Sequence, residues 1–276
     1  MIIRKGENME NFNVLITGGA GVIGRLLAEK FLKDGANCIL IDKDENNLNK
    51  VIEEYRKRFG FDKVEGFIAD FSNRENVLNI LDKVLEKYKF IDVLINNAGI
   101  VTGKTLLNSS FDEIEKTMTV NAISHFWTIK KILPLMIEKN KGHIVTISSA
   151  AGIIGVPKLS DYCASKFAAF GIDESLRMEL YKNKSKIKTT IICPYYINTG
   201  MFKGVKTRFP FLLPILEPEK AVDKIYKGII KGKTRVIFPF LVYFTWLLRL
   251  FPTRFFDFIA NFLGIHSSMD NFIGRR

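Results

Sequence analysis

Two side chains that can move a proton lie four residues apart in this chain, Tyr162 and Lys166. On a helix this spacing places them on one face, one turn apart. A tyrosine hydroxyl has a pKa of about 10, so it is a poor base near neutral pH, but a nearby ammonium favours the phenolate and lowers that pKa. Ser149, thirteen residues before the tyrosine, could hydrogen-bond the same substrate oxygen. Together these groups could move a proton on and off an alcohol while another group takes a hydride.

The tyrosine–lysine spacing has little specificity by itself. It also occurs in helices where the pair is simply solvated, or where the tyrosine packs on the lysine stem. Its interpretation therefore depends on the elements that position it, beginning at the other end of the chain.

A glycine-rich turn near the N-terminus connects an apolar stretch to a helical pattern. Residues 12–17, FNVLIT, suit a buried strand. After them Gly19, Gly21 and Gly24 fit the pattern GxGxxG and lead into the helical residues 25–35. Glycines allow a tight turn and a close approach of backbone N–H groups to a pyrophosphate, and the helix N-terminus adds partial positive charge. The turn predicts a dinucleotide site, and the alternative is a merely tight strand-to-helix turn.

An acidic residue follows the second predicted strand, residues 37–41. This residue, Asp42, lies 18 positions after Gly24. A carboxylate here can accept hydrogen bonds from the adenosine ribose hydroxyls and repels a 2′-phosphate, which favours NAD over NADP. Lys43 is evidence in the other direction, because a cation could hold that phosphate. The alternative for Asp42 is a helix N-cap for the residues that follow.

Strands and helices continue to alternate along the chain. Further strands are predicted at residues 63–69, 91–95, 142–147 and 187–193, and helices at residues 73–88, 111–139 and 159–182. This alternation predicts an α/β fold, a Rossmann-like doubly wound parallel sheet of about seven strands with helices on both faces. Ligands of such sheets bind beyond the carboxyl ends of the strands. The polar and glycine motifs fall at those ends, at residues 18–24, Asp42, Asp70, Asn97, Ser149 and Pro194.

The ordered motifs TGGAGVIG, NNAG, Asn121, Ser149, YCASK and Pro194 to Thr199 resemble those of the short-chain dehydrogenases/reductases over residues 10–235. The stretches NNAGIVTGKTLL, DYCASKFAAFG and LGIHSSMDNFIGRR are similar to the group of retinol dehydrogenases and lipid-droplet 17β-hydroxysteroid dehydrogenases. Two positions depart from the family pattern. Val22 stands where short members usually have glycine, as in the longer sugar-nucleotide-modifying branch, and Tyr195 follows Pro194 where glycine is usual.

The resemblance implies a role for each motif residue. Tyr162 would be the proton acceptor or donor, Lys166 would lower its pKa and reach the nicotinamide ribose, and Ser149 would polarise the reacting oxygen. Asn121 would position a water that links Lys166 to solvent, or, as an alternative, satisfy a kink in its helix. Tyr195 would contact substrate. The NAD site would be formed by Gly18, Gly21, Ile23, Gly24, Asp42, Asp70, Phe71, Asn97, Thr119 or Val120, Tyr162, Lys166, Pro194 and Thr199.

The stretch 195–216 is rich in phenylalanine and leucine. With Ile153, Ile154 and Val156 it predicts an apolar pocket under a mobile lid, suited to retinoids, steroids or fatty alcohols. The alternative is ordinary core or dimer packing. The resemblance also implies a homodimer that pairs through the helices at residues 111–139 and 159–182.

The composition, with a net charge of +12, bears on partners and compartment. The lysines are spread over helix faces, which argues against nucleic acid and favours an anionic membrane surface. Three cysteines without an even pairing indicate reduced thiols and a cytosolic-facing location. The resemblance implies that this location is the endoplasmic reticulum membrane or a lipid droplet. Three scattered histidines indicate no metal site.

An aromatic segment ends the chain. We predict a single catalytic domain at residues 1–235 and an apolar segment at residues 236–276. Its longest uncharged run is thirteen residues, whereas a spanning helix needs about 20, so it should lie at a membrane interface or cover the pocket. Because residues 1–13 are polar, membrane attachment is expected from this segment.

Two other functions remain open from the sequence alone. One is a sugar-nucleotide epimerase or dehydratase, suggested by TGGAGVIG, although residues beyond Thr199 are apolar for such a substrate. The other is a lipid-surface scaffold with a vestigial cofactor site, against which the intact Ser149, Tyr162 and Lys166 argue.

Overall fold

The computed structural model describes residues 9–274, and a parallel sheet forms its centre. The strands are β1 (Asn13–Thr17), β2 (Asn37–Asp42), β3 (Val64–Ile68), β4 (Val93–Asn96), β5 (His143–Ile147), β6 (Lys188–Pro194) and β7 (Arg235–Phe238). They lie in the order β3-β2-β1-β4-β5-β6-β7, and every neighbouring pair is parallel. The predicted doubly wound sheet is therefore confirmed, and its order reverses between β1 and β4, where ligands bind in such folds.

Helices cover both faces of the sheet. They are α1 (Val22–Lys33), α2 (Glu45–Phe59), α3 (Arg74–Tyr88), α4 (Phe111–Met118), α5 (Ser124–Glu138), α6 (Ser160–Lys182), α7 (Pro218–Ile230), α8 (Phe244–Leu248) and α9 (Thr253–Phe262). One core cluster joins apolar residues of α1, α2 and α7 to the sheet, and another joins those of α3, α5 and α6. These apolar faces account for the amphipathic patterns in the sequence.

The helix predicted at residues 111–139 is interrupted. It comprises α4, a π-helical turn at Thr119–Ile123, and α5. π-turns insert extra backbone into a helix and are frequent at functional sites. Here the turn carries Asn121, which is fully buried.

The C-terminal segment begins later than predicted. The division between residues 235 and 236 falls inside β7, because Arg235, Val236, Ile237 and Phe238 pair with β6. Beyond this edge strand, α8 and α9 pack on the sheet end through a cluster that includes Val242, Ala260 and Ile265. Among residues 9–274, no helix is both long and apolar enough to cross a membrane.

Three other predictions bear on local structure. The cap of α2 is Asp44, whose carboxylate accepts from the backbone N–H of Asn47, so the N-cap alternative for Asp42 is wrong. Cys38, Cys163 and Cys193 are buried, free thiols. The expectation drawn from the polar N-terminus concerns in part residues 1–8, which lie outside the described residues.

Candidate active site

Tyr162 and Lys166 lie on the first turns of α6, beside the carboxyl end of β5. Both are buried, at 5% and 3% exposure, and the Lys166 Nζ lies 5.7 Å from the centre of the Tyr162 ring. The Lys166 ammonium donates to the carbonyl of Ile147, the last residue of β5, at 2.9 Å. The helix and the strand thus hold the predicted pair together in the protein interior.

The two adjacent serines after β5 have different environments. Ser149 is half-buried and lines a cavity with Tyr162, and its hydroxyl accepts from the backbone N–H of Ala151 at 3.1 Å. Ser148 is 3% exposed and donates to the carbonyl of Lys166 at 2.9 Å. Because Ser149 alone of the two faces the cavity, the structure places the predicted serine beside Tyr162.

Burial controls the protonation of the pair. It raises the pKa of the Tyr162 phenol well above its ordinary value, although an interaction with the Ser149 hydroxyl acts in the opposite direction. Burial also lowers the pKa of Lys166 to about 8. Burial therefore acts against the lowering of the Tyr162 pKa that is expected from Lys166 and the positive charge of a bound nicotinamide.

Asn121, in the π-turn, forms hydrogen bonds to the loop after β4 and to α6. Its amide oxygen accepts from the Ile100 N–H at 2.8 Å, and its Nδ2 donates to the Ile100 carbonyl at 2.9 Å and to the Ser165 hydroxyl at 3.0 Å. The π-turn is therefore bound to the loop after β4 and to α6. A Cβ added at Gly99 in that loop would lie 3.4 Å from the Asn121 Oδ1 and 3.6 Å from the Lys166 Nζ.

The glycine turn after β1 is built without room for side chains. A Cβ at Gly24 would lie 2.3 Å from the Gly18 carbonyl oxygen, and one at Gly19 would lie 2.6 Å from the Leu40 Cβ. Gly18 also has a positive φ of 65°. Gly21 caps α1 without a side-chain hydrogen bond, so the first N–H groups of the helix can receive a phosphate. Val22 begins α1, and this spacing still forms the turn.

The polar residues at the neighbouring strand ends surround this turn. The Asp42 carboxylate accepts from the N–H of Ala20 at 3.0 Å and from that of Asp44 at 3.1 Å. The Asn97 Nδ2 donates to the carbonyls of Thr17 at 2.9 Å and Gly18 at 3.1 Å. Each carboxylate oxygen can accept a second bond, so Asp42 remains able to hold ribose hydroxyls, and the whole cradle fits a dinucleotide.

The remaining predicted cofactor residues have mixed environments. Ile23 packs on the core beneath α1. Burial raises the pKa of Asp70, but hydrogen bonds from Ser72 outweigh it and the pKa is lowered overall. The Phe71 side chain is buried in the core at 4% exposure, so its backbone alone could line a cofactor. Thr119 and Val120 fall in the π-turn.

Residues after β6 form the other wall of the site. Pro194 ends β6, and the N–H of Tyr195 donates to the Phe238 carbonyl of β7 at 2.9 Å. The half-buried Thr199 lies in the following loop, where its backbone N–H donates to the Ile197 carbonyl at 2.8 Å. The predicted cofactor and substrate residues thus meet at one edge of the sheet.

The cavity beside Tyr162 is apolar apart from hydroxyl groups; we call it the catalytic cavity. Its lining comes from the loop after β5, α6, the loop after β6 and the C-terminal segment: Ser149, Ala150, Ala151, Ile154, Val156, Leu159, Tyr162, Tyr195, Tyr196, Phe202 and Ile265. The predicted Ile154 and Val156 belong to it, as does Phe202 of the predicted stretch 195–216. Phe211 of the same stretch is 80% exposed and does not line this cavity.

The sequence left open whether the C-terminal segment lies at a membrane or covers the pocket, and in the structure residues 264–274 return toward this cavity. The Tyr196 hydroxyl lies 3.1 Å from the Ser268 Oγ, and the Ile273 N–H donates to the Lys203 carbonyl at 2.8 Å. The residue in the sequence that could have indicated this contact is Gly204. A Cβ there would lie 2.0 Å from the Asn271 carbonyl oxygen, so the close approach of the two segments requires glycine. Among residues 9–274, no group of three or more histidine, cysteine or acidic side chains could hold a metal ion.

Comparison with known proteins identifies the family. A family model described as short chain dehydrogenase matches residues 13–208. The chain belongs to the short-chain dehydrogenase/reductase family. It is therefore an oxidoreductase of CH–OH groups with a nicotinamide cofactor site, and the resemblance inferred from its motifs is confirmed.

Curated relatives cover nearly the whole chain. It is 44% identical to the bovine (Bos taurus) short-chain dehydrogenase/reductase family 16C member 6, over 100% of this chain and 87% of that protein. It is 43% identical to human (Homo sapiens) epidermal retinol dehydrogenase 2, over 98% and 88%. It is 37% identical to rat (Rattus norvegicus) estradiol 17-beta-dehydrogenase 11, over 96% and 88%.

Solved structures share the fold at lower identity. A short chain dehydrogenase/reductase from Burkholderia phymatum in complex with NAD has a TM-score of 0.77 and 23% identity, over 88% of this chain and 94% of that one. A metagenomic short-chain oxidoreductase in complex with NADP has a TM-score of 0.69 and 24% identity, over 83% and 97%.

Proposed function

We propose that this protein is an NAD-dependent oxidoreductase that interconverts a lipophilic alcohol and its carbonyl, with Tyr162 as proton acceptor and donor. The observation that carries the proposal is the catalytic cavity. Two hydroxyl groups, of Tyr162 and Ser149, meet there within an otherwise largely apolar lining. Such a pocket suits a lipophilic molecule with one reacting hydroxyl.

The residues divide the chemistry between them. Alcohol oxidation removes a hydride and a proton, and the nicotinamide, when bound, accepts the hydride. The Tyr162 oxygen takes the proton from the substrate hydroxyl, and Ser149 donates a hydrogen bond to the same substrate oxygen. The Lys166 ammonium is fixed on the Ile147 carbonyl, 5.7 Å from the centre of the Tyr162 ring, where its charge would favour the phenolate. In the reductive direction Tyr162 returns the proton.

The preference for NAD rests on Asp42. Its carboxylate is held beside the glycine turn by the N–H groups of Ala20 and Asp44, where a 2′-phosphate would meet negative charge. Lys43 is exposed, and the hydrogen bonds that hold the Asp42 carboxylate come from Ala20 and Asp44. We expect a higher kcat/KM with NAD than with NADP. Asp42→Ala should bring the two values of kcat/KM closer together. Equal values for the wild-type protein would contradict this preference.

The substrate class is supported by the relatives as well as by the cavity. Two of them are named as dehydrogenases of retinol and of estradiol. The test is NADH formation from retinol, estradiol and 1-hexadecanol, with Tyr162→Phe as the matched variant that lacks one oxygen. Turnover should fall by about 10²–10⁴-fold while the melting temperature is retained. No turnover of any of these alcohols with either nicotinamide would overturn the proposal.

The proposed partner of the C-terminal segment is an anionic lipid surface, at the endoplasmic reticulum membrane or a lipid droplet. Support comes from large side chains that this segment exposes to solvent, including Phe240, Leu250 and Phe258 at 73%, 80% and 63%. Patches of this kind mark interaction sites, and the exposed Arg249 and Arg254 lie among them.

Flotation with vesicles containing phosphatidylserine tests the lipid contact. Deleting the segment from residue 236 would remove β7, so point variants are preferable. Leu250→Glu combined with Phe258→Glu should abolish flotation. The control Leu107→Glu, at a site that is 96% exposed outside the segment, should float as the wild type does. Equal flotation of all three proteins would remove this segment from the proposal.

A homodimer is proposed through α5 and α6. These helices expose Phe126 and Met178 at 50% and 54%, and such apolar side chains suit a subunit contact. Light scattering should give twice the mass of the chain, and Phe126→Glu should reduce it. A monomeric wild-type protein would contradict the proposal.

A further inference from the structure

A second cavity adjoins the catalytic cavity, and we call it the cap cavity. Four residues line both cavities: Ala150, Ile154, Tyr195 and Ile265. The two spaces are therefore neighbours, and the half-buried Tyr195 lies between them. The catalytic cavity contains about 390 Å³ between protein atoms, and the cap cavity contains about 520 Å³, each including its part open to solvent.

The C-terminal helices form the far wall of the cap cavity. Its lining there includes Leu241, Leu248, Phe256, Ala260 and Leu263. No charged side chain of residues 9–274 lines it, and its polar side chains in that range are Tyr195 and Thr245. Because an unpaired polar group loses hydration on entering such a space, the occupant that fits is apolar.

The cap is fixed to the catalytic loop. The guanidinium of Arg249, after α8, donates twice to the carbonyl of Ile153, at 2.7 and 3.2 Å. Ile153 lies four residues beyond Ser149. The cap cavity therefore keeps a defined position relative to the reacting hydroxyl groups, as a specificity site requires.

We propose that the cap cavity is a tail subsite, so that the substrate is an extended alcohol whose hydroxyl lies at Tyr162 and whose chain passes Tyr195 toward Ala260. This inference rests on the proposed function and narrows its substrate class. Long linear alcohols, of the fatty or polyene type, use both cavities. Compact alcohols fill the catalytic cavity alone.

Chain-length dependence tests the tail subsite. The probes are primary alcohols of 6, 8, 10, 12 and 16 carbons, each dispersed in the same concentration of detergent. NAD is present in excess. Each buried methylene contributes about 0.8 kcal/mol, so kcat/KM should rise by up to about fourfold per carbon until the cap cavity is full. Ala260 is 4% exposed and lines only the cap cavity, so Ala260→Leu should stop this rise at a shorter chain and leave 1-hexanol within about twofold of wild type.

Two further variants make the outcome decisive. Asn261→Leu adds similar bulk to an exposed neighbouring position of α9 and should reproduce the wild-type series. Leu248→Ala enlarges the cap cavity and should extend the rise to longer chains, which keeps the test informative if Ala260→Leu fails to fold. Melting temperatures identify a folding failure.

The outcomes separate this inference from the function on which it rests. If alcohols are oxidised but Ala260→Leu and Leu248→Ala change all chain lengths equally, or change none, the tail subsite is overturned and the oxidoreductase proposal stands. If no alcohol of any length is oxidised by the wild-type protein, both are overturned. A shift of the optimum in opposite directions by the two cavity variants supports the subsite.

Discussion

Asn121 donates from its side-chain amide to the Ser165 hydroxyl at 3.0 Å, and Ser165 in turn donates to the Tyr162 carbonyl at 2.7 Å. This chain of hydrogen bonds connects the π-turn directly to the backbone of the proposed catalytic tyrosine. Both side chains are fully buried. The interruption of the helix therefore helps to position Tyr162.

Removing the Asn121 amide should cost more stability than removing the Ser165 hydroxyl. Asn121→Ala leaves both polar groups of Ile100 unpaired, whereas Ser165→Ala removes one hydroxyl and its two bonds. With about 1–3 kcal/mol for each buried group left unsatisfied, we expect the free energy of unfolding to fall by about 2–5 kcal/mol for Asn121→Ala and by about 1–2 kcal/mol for Ser165→Ala. Urea denaturation measures both free energies of unfolding, and equal losses for the two variants would contradict this ranking.

Substitutions of the two adjacent serines should have different effects on kcat and on stability. Ser149→Ala removes the hydroxyl that faces the catalytic cavity and should lower kcat by about 10²–10³-fold with little change in melting temperature. Ser148→Ala removes the bond to the Lys166 carbonyl and should cost about 1 kcal/mol of stability with a much smaller effect on kcat. The reverse ranking in steady-state kinetics would reassign the substrate-facing serine.

The pH dependence of alcohol oxidation follows from Tyr162 and Lys166. Burial raises the pKa of Tyr162, so the phenol is protonated near neutrality and oxidation should become faster as pH rises. Burial lowers the pKa of Lys166 to about 8, so its positive charge is present below that pH and lost above it. The rate should therefore rise up to about pH 8 and then level off, because each further gain in phenolate is offset by the loss of the Lys166 charge.

The levelling-off above about pH 8 can be assigned by substitution. Arginine keeps its charge throughout this range, so in Lys166→Arg the rate should continue to rise above pH 8, whatever its absolute value. Lys166→Met should lower the rate at every pH. A plateau that begins near pH 8 in Lys166→Arg as well would place the titrating group elsewhere.

Asp173 on α6 should make stability depend on pH. It is 3% exposed, and burial raises its pKa to about 7, although Arg177 and Arg235 act in the opposite direction. The folded pKa lies above the unfolded value, so the stabilisation is complete below about pH 4 and is lost as pH rises through about 7, by at most about 4 kcal/mol. Asp173→Asn should flatten this part of the stability curve in urea denaturation at pH 4 to 8, and an unchanged slope would contradict the assignment.

The glycines of the turn should differ in their tolerance of alanine. At Gly24 the added Cβ would meet two backbone atoms, the Gly18 oxygen at 2.3 Å and the Gly19 Cα at 3.0 Å, whereas at Gly21 its nearest neighbour is 3.2 Å away. Overpacking typically costs about 1–3 kcal/mol, so Gly24→Ala should weaken NAD binding by about 10-fold or more. Gly21→Ala should weaken it less. Calorimetric titration with NAD measures both, and equal affinities would contradict this ranking.

Part of the site could be predicted because its signals are local. The spacing of Tyr162 and Lys166, the glycine turn and the alternation of apolar stretches depend on helix and strand periodicity, and they led to the correct sheet and to residues that meet at its edge. A kink at Asn121 was only an alternative from the sequence, because the contacts that accompany the π-turn are with Ile100 and Ser165, which lie 21 and 44 residues away. Burial of Tyr162 was missed for a similar reason, since desolvation depends on every element packed around the side chain.

The sequence by itself determined the family, the alternation of strands and helices as far as β6, and the spacing of the pair proposed to transfer the proton, because residue type and short spacing are enough to encode them. The tertiary structure alone decided that the C-terminal segment contributes β7, closes over the loop at Lys203 and encloses the cap cavity. These features depend on contacts between residues far apart in the chain, such as Tyr196 with Ser268 and Ile153 with Arg249. An apolar segment can bury its surface against many partners, and only the packing of the whole chain selects among them.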